Sequence, residues 1–164
     1  MRIAVIDSST LISLTHLGLA KHMSLYFDLV YVPRAVQREV NRKARFRYRL
    51  NRLYRDGLFM PCAAADQTSV WLLRAELDEG EAEALIRAKE KTARFFIADE
   101  KRAREISEGT GLKPVGTLRI LARLSSEDLA PELGFLVRKL QRDLGFRVSE
   151  GVIRQAIAMA VEPI

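Results

Sequence analysis

Two short, unbroken apolar runs each end on an aspartate: Ile3-Ala4-Val5-Ile6 before Asp7, and Phe95-Phe96-Ile97-Ala98 before Asp99. A continuous apolar run of this length reads as a strand buried on both faces, the kind found in parallel sheets covered by helices. In an open α/β sheet the ligand crevice lies outside the carboxyl ends of the strands, so both aspartates are expected there. Two carboxylates brought together repel each other unless a cation sits between them. A divalent metal is the expected cation, and the chain reads as a candidate metal-dependent hydrolase.

The segments between these runs alternate in period. Residues 2–6 read as the first strand, and helical spacing follows from about Ser9 through Leu11, Leu14, Leu17 and Leu19, with Gly18 breaking or re-aiming it. Residues 25–32 read as a second strand stopped by Pro33, which suits the first turn of a helix carrying Ala35, Val36 and Val40 with Glu39 near its middle. The basic stretch 42–55 either extends that helix or forms another, with Phe46, Leu50 and Leu53 on one face. Leu58-Phe59-Met60 reads as a short strand ended by Pro61, and a helix is expected over about 66–75.

The clearest helix runs over about 78–91, set by Ala82, Leu85, Ile86 and Lys89. Strand 95–98, a helix over 101–109 and a last strand at Pro114-Val115 follow, and Thr117 is expected to cap a helix over 118–124. Two further helices are expected near 131–144 and 149–161, the last capped by Ser149. Strands alternating with helices predict a three-layer α/β/α domain around a small parallel sheet. At 164 residues one domain is expected, with a core over about 1–125 and C-terminal helices over about 126–164.

Composition narrows the chemistry. No apolar stretch approaches the roughly 20 residues a membrane span requires. Asp7, Ser8 and Ser9 interrupt the N-terminal run too early for a secretory signal. The single cysteine, Cys62, allows no disulfide within the chain, which fits a cytoplasmic setting. With only His16 and His22 beside it, a Cys/His zinc site is not expected. A metal would be held by oxygen, which favours Mg²⁺ or Mn²⁺. The net charge of +6 permits nucleic-acid binding, and Arg42, Lys43, Arg45, Arg47, Arg49, Arg52 and Arg55 carry most of the excess, with Phe46, Tyr48 and Tyr54 interleaved.

Five motifs in order carry a resemblance. They are Ile6-Asp7-Ser8-Ser9, then Val32-Pro33-Arg34-Ala35-Val36-Gln37-Arg38-Glu39-Val40, then Leu77-Asp78-Glu79-Gly80-Glu81-Ala82-Glu83-Ala84, then Ile97-Ala98-Asp99-Glu100-Lys101-Arg102-Ala103-Arg104, then Gly111-Leu112-Lys113-Pro114-Val115-Gly116-Thr117. Together they resemble the PIN domain, and are similar to its VapC-like branch, whose members are often toxins of toxin–antitoxin pairs. The resemblance covers roughly residues 1–125, and the tail also fits one subgroup.

The resemblance implies a PIN-like fold and an Mg²⁺- or Mn²⁺-dependent ribonuclease whose catalytic and metal-binding acids are Asp7, Glu39, Glu81 and Asp99. Glu81 stands where the family often has Asp. Glu100 is an outer-shell candidate, and the hydroxyl of Ser8 or Ser9 could orient Asp7 or a water. The partners it implies are an RNA substrate, an antitoxin protein and a second copy of the chain in a homodimer.

Each residue also has an ordinary role to compare. Asp7 and Asp99 could cap the helices that follow them. Glu39 could be a solvated helix residue. Asp78 and Glu81 have capping-box spacing, Glu83 is expected to face elsewhere and Glu79 is a reserve. Within the basic stretch Arg42, Lys43, Arg45, Arg49 and Arg52 are candidate RNA contacts, since Arg pairs with phosphate and aromatics stack on unpaired bases. A protein contact or a solvated face are the alternatives. His16 and His22 are expected to be structural or exposed, and Trp71 and Cys62 to be packing residues. Two rivals to the nuclease remain: a catalytically degenerate PIN-like binding module, and a phosphatase using Asp7, disfavoured because position 9 is Ser.

Overall fold

A computed structural model describes residues 1–42 and 44–164. The first apolar run forms β1 (Ile3–Ile6), and the second forms β4 (Phe95–Ile97). With β2 (Leu29–Pro33), β3 (Phe59–Cys62) and β5 (Lys113–Val115) they make one all-parallel sheet in the order β3-β2-β1-β4-β5. The chain therefore walks from β1 outward to β3, then crosses back to lay β4 on the other side of β1. The order reverses between β1 and β4, the place where open α/β sheets form their crevice.

Side chains alternate across the pleat. Val5, Phe96 and Ala98 pack into a buried cluster with Val70, Leu77, Ala82, Leu85 and Ala103. These come from α4 (Gln67–Leu73), α5 (Glu79–Glu90), α6 (Lys101–Gly109) and the segment before α5. The alternate residues Ala4, Ile6, Val30, Val32, Phe95 and Ile97 are equally buried, and Phe27 meets Phe95 edge-on with ring centres 5.3 Å apart. Helices α1 (Ser8–Leu17), α2 (Arg34–Arg42) and α3 (Ala44–Arg55) complete the three-layer α/β/α, PIN-like arrangement. The basic stretch is thus a helix of its own, with Phe46 and Leu50 buried.

Several boundaries differ from the sequence reading. Residues 25–28 are not strand: a 3₁₀ segment, Ala20–Leu25, precedes β2. Pro61 lies within β3 rather than ending it, opposite Val32. The strand is at the sheet's edge, and because Val30 N donates to Leu58 O at 2.9 Å, the alternation of a parallel ladder turns Pro61 outward, where no ladder amide is needed. Pro114 in β5, the other edge, is placed the same way between Lys113, which donates to Arg94 O, and Val115, which accepts from Ala98 N. Gly18 ends α1 at φ 75°, the left-handed conformation glycine adopts without strain.

The chain divides into two compact units, Met1–Val115 and Gly116–Ile164. In the second, α7 (Thr117–Ser126), α8 (Leu133–Leu144) and α9 (Glu150–Ala158) pack together. Thr117 is the first helical residue there and Gly116 is the N-cap, correcting the expected Thr117 cap. Ser149 caps α9 as expected, accepting from Val152 N. Arg119 and Arg123 on α7 donate to the carbonyls of Met159, Ala160 and Val161 in the turn that follows α9. No helix among the described residues is long and apolar enough to cross a membrane.

One buried carboxylate joins the first unit's layers. Glu83, on α5, accepts from Ala35 N at 2.6 Å and Ala64 N at 3.1 Å. It satisfies an amide at the start of α2 and another just after β3, and it is 6% exposed. Glu83→Ala leaves both amides without an acceptor and is expected to cost about 2–4 kcal/mol in urea unfolding. Glu79→Ala, which removes a surface partner of Arg38, should change stability by about 0.5 kcal/mol or less. Equal effects from the two would contradict this role for Glu83.

Candidate active site

Asp7 is the first residue past β1, and its amide donates to Ile97 O at 2.9 Å. The β1–β4 register therefore sets Asp7 beside Ala98, one residue before Asp99. The switch of strand order thus brings Asp7 and Asp99 to the same carboxyl edge. Asp7 is 3% exposed. It caps α1 through Oδ1, which accepts from Thr10 N at 2.9 Å, while Ser9 Oγ donates to Oδ2 at 2.7 Å. The capping role and the site role fall on one carboxylate, and Ser9 rather than Ser8 is the hydroxyl that orients it.

Burial pushes the Asp7 carboxyl up to about 7, and the neighbouring charge of Asp99 pushes the same way against the hydrogen bonds from Ser9 and Thr10. Asp99 does not cap the following helix: Glu100 is the N-cap of α6, with no side-chain bond to the helix.

The second group of acids comes from α2 and α5. Asp78 and Glu81 form the expected capping box, with Glu81 N donating to Asp78 Oδ1 at 2.8 Å and Asp78 N donating to Glu81 Oε2 at 3.1 Å. Glu81 is 8% exposed. Burial, then Asp78, Glu100 and Glu39, raise its carboxyl above the ordinary range. Glu39, on the exposed side of α2, approaches the start of α5 closely: a β-carbon at Gly80 would lie 4.0 Å from Glu39 Oε2 and 3.4 Å from Val36 Cγ2.

The acids stand as two neighbouring sets, Asp7 with Asp99 and Glu81 with Glu39 and Glu100. Among the described residues, no three of the His, Cys, Asp or Glu side chains converge as a ready-made metal cage. Beside Glu39 a cleft of about 190 Å³ is lined by Ala35, Arg38, Arg42, Asp78, Glu79 and Gly80. Arg38 Nη2 reaches Glu79 across it at 2.6 Å.

A family model described as DUF3368: PIN domain matches residues 3–162. The chain belongs to the PIN domain family. No curated protein matches it significantly. PIN domains are generally nucleases and typically use divalent metal ions. The match spans nearly the whole chain, beyond the region that the motifs alone cover.

Several residues of this PIN domain take roles the sequence did not show. Arg49, a candidate RNA contact, donates to Thr15 O at 2.9 Å and His16 O at 3.3 Å, closing the C-terminal end of α1. Arg42 lines the acidic cleft, Arg45 lies over the Phe46 ring at 4.7 Å, and Arg52 is exposed. Lys43 lies outside the described residues. Trp71 is 70% exposed and so is not the packing residue expected: α4 turns Val70 inward and Trp71 outward. Cys62 is half-buried, and burial pushes its thiol up to about 11, which leaves it an unreactive thiol at neutral pH. His16 is half-buried against Phe46.

The raised carboxyl of Asp7 sets the sign of a pH effect. Between its ordinary value of 3.8 and about 7 the folded chain binds the proton more tightly than the unfolded chain. In EDTA, stability should therefore fall as pH rises through that window. Asp7→Asn keeps a good cap and removes the buried charge. It should raise stability at pH 8 by on the order of 3 kcal/mol, with little gain at pH 4. Thermal unfolding of both proteins at the two pH values reads this directly. A variant less stable than the wild type at pH 8 would show that the charge is not a burden to the fold.

Proposed function

We propose that this PIN domain is a divalent-metal-dependent endoribonuclease hydrolysing RNA phosphodiester bonds. The reading rests on one observation: Asp7, buried at the carboxyl end of a central strand at the switch point, is set against the charge of Asp99. The donor chemistry fits an Mg²⁺ or Mn²⁺ ion. Such ions prefer oxygen, keep several waters and are held by one or two carboxylates plus substrate phosphates, so a three-carboxylate cage is not required. Asp7 and Asp99 would hold the ion, with Glu39 and Glu81 as further ligands, direct or through water. When bound it would neutralise charge at the phosphoryl group and activate the attacking water.

The chain's own residues do the positioning. Ser9 and Thr10 fix both oxygens of Asp7, and the capping box holds Glu81 at the start of α5. Glu39 stands at the rim with Arg38 and Arg42, whose guanidiniums suit phosphate oxygens. Within the family we place the chain in the VapC-like branch, as a cytoplasmic toxin that forms a homodimer and is restrained by an antitoxin protein. The support is the order of the five motifs.

A second reading, a degenerate PIN domain that binds RNA or protein without cleaving, is favoured by the backbone bond that occupies the Glu81 carboxylate. The two readings separate in one assay. Wild type and Asp7→Asn are incubated with a structured RNA pool and Mn²⁺ or EDTA. Cleavage by the wild type in Mn²⁺ alone, reduced about 100-fold or more in the variant, is expected. RNA bound but intact in every condition would favour the degenerate reading.

Metal binding should also appear as stabilisation. Mn²⁺ at about 100 times its dissociation constant adds about 2.7 kcal/mol by mass action, and Asp7→Asn should lose most of the corresponding rise in melting temperature. A wild-type melting curve unmoved by millimolar Mn²⁺ would count against the metal site.

A further inference from the structure

The cationic helix α3 divides into two faces with different duties. Phe46 and Leu50 are buried, and Arg49 beside them is tied to the carbonyl end of α1. Arg45, Tyr48, Arg52 and Arg55 are spaced i, i+3, i+7 and i+10, so they share one side of the helix. All four are exposed, and Tyr48 is 66% exposed. A tyrosine held so far out of the core gains little from packing. It shares its side of the helix with three arginines.

The charges of this face are not neutralised by neighbours. No acidic residue occurs between Glu39 and Asp56 in the sequence. Among the described residues, Arg45, Arg52 and Arg55 form no ion pair. Arg45 is steadied instead by the Phe46 ring beneath it, at 4.7 Å, which orients the guanidinium and leaves its charge available. Elsewhere on the surface several long cations are paired, as Arg102 is with Glu76 and Arg38 with Glu79.

The geometry points to a single-stranded RNA platform on α3, with one unpaired base stacked on Tyr48 and the flanking phosphates held by Arg45, Arg52 and Arg55. An exposed aromatic among arginines matches a strand whose bases are free to stack and whose backbone carries regular negative charge. A duplex hides its base faces and offers phosphates, 2′-hydroxyls and base edges instead. The platform rests on the nucleic-acid-directed reading of this PIN domain, but it makes no use of the acidic site. Arg42, which ends α2, lines the acidic cleft, and Arg45 lies in the first turn of α3. A strand held on α3 thus belongs to the same stretch of chain that borders Glu39.

Binding is measured by fluorescence anisotropy with a labelled oligouridylate, in EDTA so that no cleavage occurs. The same label on an RNA duplex is the comparison. Tyr48→Ala should weaken single-strand binding by about tenfold and leave duplex binding nearly unchanged, with Tyr48→Phe restoring it. The double variant Arg45→Ala/Arg52→Ala should weaken both and lower the slope of log affinity against log salt by about 1.4. Melting temperatures equal to the wild type's establish that these exposed substitutions leave the fold intact.

Unchanged single-strand binding by Tyr48→Ala, or a wild type that binds neither RNA, overturns the platform. So does a result in which the α3 arginines govern only self-association in sedimentation. Asp7→Asn serves as the separating background: cleavage is reduced about 100-fold or more there, and Tyr48→Ala should weaken oligouridylate binding by the same factor in that background as in the wild type. A failed nuclease with intact Tyr48-dependent binding leaves the platform standing. A working nuclease indifferent to Tyr48 does the reverse.

Discussion

The carboxylate of Glu83 is the contact on which the site's geometry depends. It sits inside the fold and reaches the backbone of two other segments, at the start of α2 and just after β3. A buried acid is costly unless it is hydrogen-bonded, and here the bonds come from amides that would otherwise lack partners. The bond therefore fixes where α2 begins relative to α5. Glu39 lies about one turn further along α2, and Glu81 lies two residues before Glu83 on α5. The rim of the acidic cleft is set by a residue that does not line it.

The site itself holds its acids close, and their crowding acts on their protonation. Asp7 and Glu81 are both pushed toward the neutral form, by burial first and by neighbouring carboxylates second. Backbone amides offset part of this cost, from Thr10 in one case and from Asp78 in the other. The helix starts that cap these acids are thus also what makes their crowding tolerable. In the sequence around α3 the charge is one-sided: no acid occurs between Glu39 and Asp56.

Much of this was legible in the sequence, for stated reasons. Ile3–Ile6 and Phe95–Ile97 are apolar on both faces, which only a central parallel strand requires, so Asp7 and Asp99 could be placed before any coordinates. The spacing of Asp78 and Glu81 gave the capping box by itself. What stayed hidden depends on partners distant in sequence. Nothing near Glu83 announces that it meets Ala35 and Ala64, 48 and 19 residues away. Arg49 looked like its neighbours because its role depends on the end of α1. Trp71 was placed inside on hydrophobicity alone, yet a seven-residue helix can bury only one narrow side. The strand reading of residues 25–28 failed because Leu25 ends the 3₁₀ segment and residues 26–28 turn into β2, so that Tyr26 and Phe27 are buried without being strand.

The two outward-facing prolines have a consequence for how this protein can meet others. An open parallel sheet ends in two rows of unpaired amides and carbonyls, and such rims recruit further strands from other chains. Pro61 interrupts one rim and Pro114 the other, each at a position whose amide would have pointed to the incoming strand. Neither rim can template a continuous ladder. Peptides and sister molecules are thereby refused the route of strand addition, and the chain is shielded against edge-to-edge polymerisation while nascent or crowded.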